Sequence, residues 1–112
     1  MICLGIESTA HTFGVGIVDE NGKVLANEKD IFIPEIGKGL DPSLVKQHHE
    51  KVYKEIIKKA FTASHITKKD INLISYSKGP GLPPCLLVGL RAVKELANEL
   101  KVPVVGVNHC IA

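Results

Sequence analysis

Apolar residues recur along this chain in two rhythms. Between Thr12 and Val18, Phe13, Val15 and Ile17 alternate with Gly14 and Gly16. That period of two places one set of side chains on a single face of a sheet. Met1 to Ile6 is a short, nearly continuous apolar run and predicts a buried strand before it. Asp19-Glu20-Asn21-Gly22 supplies a hairpin turn, Asn-Gly being the strongest such pair. Lys23 to Asn27 is then the returning strand. Asp30 to Leu40 carries Pro34, Gly37 and Gly39 without periodicity and predicts a loop. The rhythm next lengthens to three and four. Asp41 is the expected N-cap and Pro42 the first helical residue. Val45, Val52, Ile56 and Ala60 mark the buried stripe of that helix, with Tyr53, Ile57 and Phe61 widening it to an end near Ser64. Thr67 with Asp70 predicts a capping box on a short helical turn. Leu73 to Ser77 is another strand. A second helix is expected from Pro84 to Leu100, with Leu86, Leu90, Val93, Ala97 and Leu100 along its buried side. Val102 to Val107 is the last strand.

The order is therefore β-β-β-α-β-α-β. Three strands joined by tight connections predict an antiparallel meander, and the α-β steps after it predict a mixed sheet with helices as cover. This is the order used by ribonuclease H-like and actin-like lobes. The chain stops at Ala112, shortly past the last strand. A covering helix would ordinarily come next, so the sequence reads as truncated or as covered by a partner, with apolar sheet surface left open.

Composition changes this picture little. A chain of 112 residues suits one domain with one modest core. Aromatic residues are 4% of it, so aliphatic side chains must build that core. A net charge of +2 is too small to argue for nucleic acid. Cys3, Cys85 and Cys110 are odd in number and widely spaced in apolar stretches, which predicts buried free thiols and a reducing, cytoplasmic setting. No signal-peptide pattern is visible, and no apolar run approaches the ~20 residues that span a bilayer.

Three places carry candidate chemistry. Glu7-Ser8-Thr9-Ala10-His11, with Gly14 and Gly16 beyond, is a tight corner rich in hydroxyls and backbone N–H groups. Such a corner holds a phosphate, or is an ordinary β-turn. Gly79-Pro80-Gly81 stands where a strand meets a helix N-terminus, a place for an anion or a rigid structural bend. Pro83 and Pro84 remove two donors there. His109 follows the last strand, a favoured ligand position in α/β sheets, although a lone histidine makes no metal site. On the first helix, neighbouring His48 and His49 cannot share a face as an i,i+4 pair would. His49 falls between Val45 and Val52 and is expected against the sheet, with His48 nearer solvent or a partner. Neither Ser8 nor Cys85 has a base assigned to it by spacing.

Taken together these segments resemble a known family, the catalytic subunit of tRNA threonylcarbamoyladenosine synthesis in archaea and eukaryotes, once described as O-sialoglycoprotein endopeptidase. Gly5-Ile6-Glu7-Ser8-Thr9-Ala10-His11-Thr12-Phe13-Gly14-Val15-Gly16 resembles its first phosphate-binding turn, and Ser77-Lys78-Gly79-Pro80-Gly81-Leu82 its strand-to-helix junction. His48-His49 resembles the histidine pair of its first helix. Gly106-Val107-Asn108-His109-Cys110-Ile111-Ala112 is similar to its metal motif.

The resemblance implies a two-lobed ATPase of the hexokinase–actin–heat-shock class, of which residues 1–112 are the front lobe without its last elements or the rear lobe. It implies transfer of a threonylcarbamoyl group from its adenylate to the exocyclic amine of the adenosine 3′ of the anticodon. ATP or that adenylate would meet Ser8, Thr9, His11, Gly79 and Gly81. His109 would be the first histidine of a His-x-x-x-His pair binding iron or zinc. The partners implied are tRNA, a kinase subunit of the KEOPS complex, and its small dimeric subunit docked through the lobe's helices. By itself the lobe is expected to be inactive. Leu82-Pro83-Pro84-Cys85 departs from the family's glycine and serine there, and Ser8 stands where glycine is common. A non-catalytic paralogue or scaffold lobe, or a sugar- or acyl-kinase lobe, are the other readings.

Overall fold

The computed structural model describes residues 1–8, 12–33, 42–79 and 83–108. Along them run β1 (Ile2–Glu7), β2 (Thr12–Asp19), β3 (Val24–Ile31), α1 (Pro42–Ser64), a 3-10 turn (Lys68–Asp70), β4 (Leu73–Gly79), α2 (Pro83–Leu100) and β5 (Val104–Asn108). The expected element order is the observed one. The strands form one sheet in the order β3-β2-β1-β4-β5. β1–β2 and β2–β3 are antiparallel, β1–β4 and β4–β5 parallel. Each parallel step needs a long crossover, and the two helices supply it.

Local chemistry sets most boundaries. At the β2–β3 turn, Asp19 Oδ1 accepts the backbone N–H groups of Asn21 and Lys23, both at 2.9 Å, and Gly22 adopts φ +82°. α1 stops at Ser64 because His65 turns into the left-handed region at φ +59°. Asp70 Oδ2 accepts from the Thr67 backbone N–H at 2.9 Å and from its hydroxyl at 3.1 Å, the arrangement expected of that turn. The N-cap expected at Asp41 lies outside the described residues.

Three expectations need correction. β3 extends beyond Asn27 to Ile31, because Asp30 and Ile31 pair with Phe13 and Thr12 of β2. β5 begins at Val104 rather than Val102, since Pro103 has no N–H to pair. The face of α2 that packs inward is Cys85, Val88, Gly89, Ala92, Val93 and Leu96. Leu86, Leu90, Ala97 and Leu100 flank it, half-buried. Small residues bring this helix close, so the larger leucines lie at the sides of the contact.

Both helices pack on the same sheet face, α1 over β2 and β3, α2 over β4 and β1, and they touch each other. Phe13, Val15 and Ile17 point into that layer and are buried, as the alternation predicted. Burying a side chain of the size of Phe13 stabilises by about 1.5–3 kcal/mol. The opposite face carries the other phase of the alternation. There Gly16 pairs with Gly5 and Gly5 with Ser75, giving a row of small residues across three strands. A concavity of about 510 Å³ lies on this side, floored by Gly5, Gly14 and Gly16 and edged by Glu7, Lys29 and Ser77. Val105 of β5 is exposed, and Ile6, Val15 and Val107 line the concavity beside its glycines and serines.

Candidate functional site

The parallel strands β1, β4 and β5 end at one edge of the sheet, and β2 starts there. The registers fix this: Glu7 faces Gly14, Thr12 faces Ile31, and Gly79 faces Asn108. α1 and α2 each begin after a strand that ends at the same edge. Helix N-termini and the carboxyl ends of parallel strands are where anions bind in such sheets. The described ends of β1, β4 and β5, the strands that lead into the three places singled out from the sequence, thus lie at one edge.

Ser8 is buried, and its Oγ donates to the Cys85 carbonyl oxygen at 2.7 Å. The hydroxyl hydrogen is therefore committed to tying the β1 corner to the first turn of α2. Gly89 lies directly behind it. A Cβ there would come within 2.9 Å of the Ser8 Cβ. Gly79 ends β4 at φ +143°, a conformation that L side chains rarely adopt, with nothing within 4 Å of a would-be Cβ. Conformation rather than space makes glycine the fitting residue there. Thr9, His11, Gly81 and His109 lie outside the described residues. The Cys85 thiol is fully buried, and desolvation pushes its pKa up, so it stays protonated and is a poor nucleophile.

Beside this edge, His49 is fully buried and packs edge-on to Phe13 with ring centroids 5.7 Å apart. This meets the expectation that it lies against the sheet. The expectation that the two histidines diverge does not hold. His48 Nδ1 and His49 Nδ1 are 2.8 Å apart, and His48 Nε2 lies 2.6 Å from Asp30 Oδ1 on β3. Successive Cβ atoms do leave the helix in different directions, but the two rings swing back toward each other. Phe32 covers His48 at 5.7 Å. Asp30 was invisible as a partner in the sequence because the contact depends on β3 reaching past Asn27. Gly89 was equally hidden, since an isolated helical glycine signals close approach only once its neighbour is known.

Among the described residues no three His, Cys, Asp or Glu side chains gather as a metal requires. Asp30, His48 and His49 are no exception, because their polar atoms bind one another in a line. Also among the described residues, no helix is long and apolar enough to cross a membrane.

The family described as "TsaD: tRNA N6-adenosine threonylcarbamoyltransferase" matches residues 22–112. The tRNA N6-adenosine threonylcarbamoyltransferase of Methanopyrus kandleri is 46% identical over 112 residues, all of this chain and 32% of that protein. The chain spans about a third of the length of the curated relatives it matches. Among solved structures, YeaZ from Pseudomonas aeruginosa superposes with a TM-score of 0.75 at 15% identity, over 96% of this chain and 42% of that one. RuvC of Thermus thermophilus with a Holliday junction substrate superposes with a TM-score of 0.57 at 18% identity, over 98% and 66%. At these identities both establish the fold, a ribonuclease H-like mixed sheet with covering helices.

Proposed function

Because this chain belongs to the tRNA N6-adenosine threonylcarbamoyltransferase family, we propose that the whole protein transfers a threonylcarbamoyl group to tRNA. The donor is the threonylcarbamoyl-adenylate and the acceptor the exocyclic amine of the adenosine 3′ of the anticodon. The carrying observation is 46% identity to a curated transferase along the entire chain. Within this reading, residues 1–112 are the actin-like front lobe, and the sheet edge at Ser8, Thr9, His11, Gly79 and Gly81 faces the phosphates of ATP or the adenylate. The Ser8–Cys85 bond supports this by holding the corner against the start of α2. The lobe's part is to bind and orient, through backbone N–H groups at a fixed edge.

His109 is the one metal ligand this reading assigns to the chain. It would supply a single imidazole of the three or four donors that iron or zinc takes, and the described residues hold no cluster to complete the set. In this reading the lobe supplies one ligand and is inactive by itself. A metal there would polarise the carbamoyl-phosphate group.

The outer faces of α1 and α2 are the docking surface for the small dimeric KEOPS subunit. Leu44 and Leu87 are exposed near the starts of the two helices, and the Arg91–Glu50 pair at 3.4 Å bridges them. The kinase subunit and tRNA meet other surfaces of the full protein.

The test is incorporation of labelled threonine into tRNA by the full-length protein with its partner subunits, ATP and bicarbonate. Modified adenosine is expected. A folded, assembled complex that makes none favours the second reading, a non-catalytic scaffold lobe. One observation supports that second reading. At the Leu82-Pro83-Pro84-Cys85 departure, α2 begins with Pro83 and Pro84, which have no N–H to offer an anion.

A further inference from the structure

Asp30, His48 and His49 form a line that runs from solvent into the core. The Asp30 side chain is 44% exposed, that of His48 15%, and His49 is fully buried. The line ties β3 to α1 and ends beside Phe13, the second residue of β2, next to the candidate anion corner. The bond lengths restrict what the two rings can be. An Nδ1···Nδ1 contact of 2.8 Å needs one proton between the two nitrogens, no more and no fewer. A carboxylate 2.6 Å from His48 Nε2 needs a proton on that nitrogen.

Three arrangements satisfy both conditions, and burial disfavours the one that puts the charge on fully buried His49, which leaves two. In the first, His48 is neutral with its proton on Nε2. Its Nδ1 then accepts from His49 Nδ1–H, and His49 Nε2 is a bare acceptor. In the second, the pair has gained one proton. His48 is an imidazolium donating from both nitrogens, its Nδ1–H points at His49 Nδ1, and His49 carries its own proton on Nε2 as a donor. His49 is neutral in both. Passing between them breaks the N–H bond at His49 Nδ1, forms one at His48 Nδ1, and adds the incoming proton at His49 Nε2. The reverse passage releases the proton from His49 Nε2 and returns the shared proton from His48 Nδ1 to His49 Nδ1.

We propose that Asp30, His48 and His49 form a two-state proton relay in which uptake of one proton reverses the hydrogen-bonding sense of the buried His49 Nε2 from acceptor to donor. A group bonded to that nitrogen then responds to the charge of a ring close to the surface. The acceptor state suits an N–H or hydroxyl partner, and the donor state a carbonyl or an anion such as phosphate. Charged groups on the same elements include Glu28 on β3 and Lys46 and Glu50 on α1, with Glu50 pairing to Arg91 of α2. Tyr53 also packs against Phe13 and bonds Glu95. The inference concerns the chain's own protons and holds whether or not the protein transfers threonylcarbamoyl.

The test is nitrogen NMR of histidine-labelled full-length protein, followed from about pH 8 to pH 5, the range in which imidazole ordinarily gains its proton. The expected result is that His49 stays neutral and passes from the Nδ1–H to the Nε2–H tautomer as His48 becomes charged. In His48→Gln the relay has no titrating member, and the His49 tautomer is expected not to change with pH. If His49 keeps one tautomer while His48 titrates, becomes an imidazolium itself, or still switches in His48→Gln, the relay is overturned. Should His48→Gln not fold, Asp30→Ala removes a half-exposed carboxylate and keeps both rings. Neutral His48 can then carry its proton on either nitrogen, so His49 should show both tautomers at about pH 8. A His49 still held as Nδ1–H alone in that variant also rules the relay out.

Discussion

Ser8 and Gly89 meet at the closest approach of α2 to the sheet, where a Cβ on Gly89 would stand 2.9 Å from the Ser8 Cβ. That contact lets the start of α2 settle onto the β1 corner. Gly89→Ala places a methyl where a short, buried side chain already sits and cannot swing away. Alanine's better helix propensity returns about 1 kcal/mol, and overpacking costs about 1–3 kcal/mol. A net loss of about 1 kcal/mol is expected in urea unfolding.

Ser8→Ala removes the donor to the Cys85 carbonyl and leaves that oxygen buried. The cost is about 0.5–1.5 kcal/mol, because the oxygen keeps its intrahelical partner. Amide exchange in the first turn of α2 should quicken in the same variant, because the bond that pins that turn to the corner is gone. Unchanged stability and exchange would mean that the bond contributes nothing.

Cys85 is completely buried and its pKa is pushed up by desolvation, whereas Cys3 is half-buried on the open side of the sheet. Alkylation by iodoacetamide at neutral pH should therefore modify Cys3 well before Cys85, and Cys85 only on unfolding. Mass spectrometry of the labelled peptides reads the order directly.

The Tyr53 hydroxyl is raised above its ordinary pKa, first by burial and then by its hydrogen bond to Glu95 Oε2 at 3.1 Å. The folded chain keeps this proton where the unfolded chain loses it. Stability from this source is undiminished below about pH 10 and is lost as pH climbs through the raised value. Tyr53→Phe should flatten the alkaline fall in melting temperature. An equally steep fall in the variant would assign it to other groups.

Leu87 is 59% exposed on α2, one turn before Arg91. If the helices dock the small dimeric subunit, Leu87→Asp should weaken that binding about tenfold or more, measured by calorimetric titration of the full-length protein. Its own stability should change by about 0.5 kcal/mol or less, since the side chain touches little in the lobe.

Much of this protein is decided locally. The alternation of Phe13, Val15 and Ile17 with glycines determined a strand with one packed face, and Asn21-Gly22 determined the turn after it. Pro42 and Ser64 are the observed ends of α1 because helix propensity and period act over a few residues. The tertiary structure alone decided three things. β3 reaches Ile31 because β2 offers a partner edge that far, which no property of Glu28 to Ile31 announces. α2 turns Gly89 and Ala92 inward rather than Leu86 and Leu90 because the gap to Ser8 is narrow, and a gap width exists only between two packed elements. The rings of His48 and His49 close on each other and on Asp30 because β3, once extended, brings a carboxylate to α1. Hydrophobic rhythm is written into neighbouring residues, whereas register, approach distance and polar pairing depend on surfaces that only the folded chain brings together.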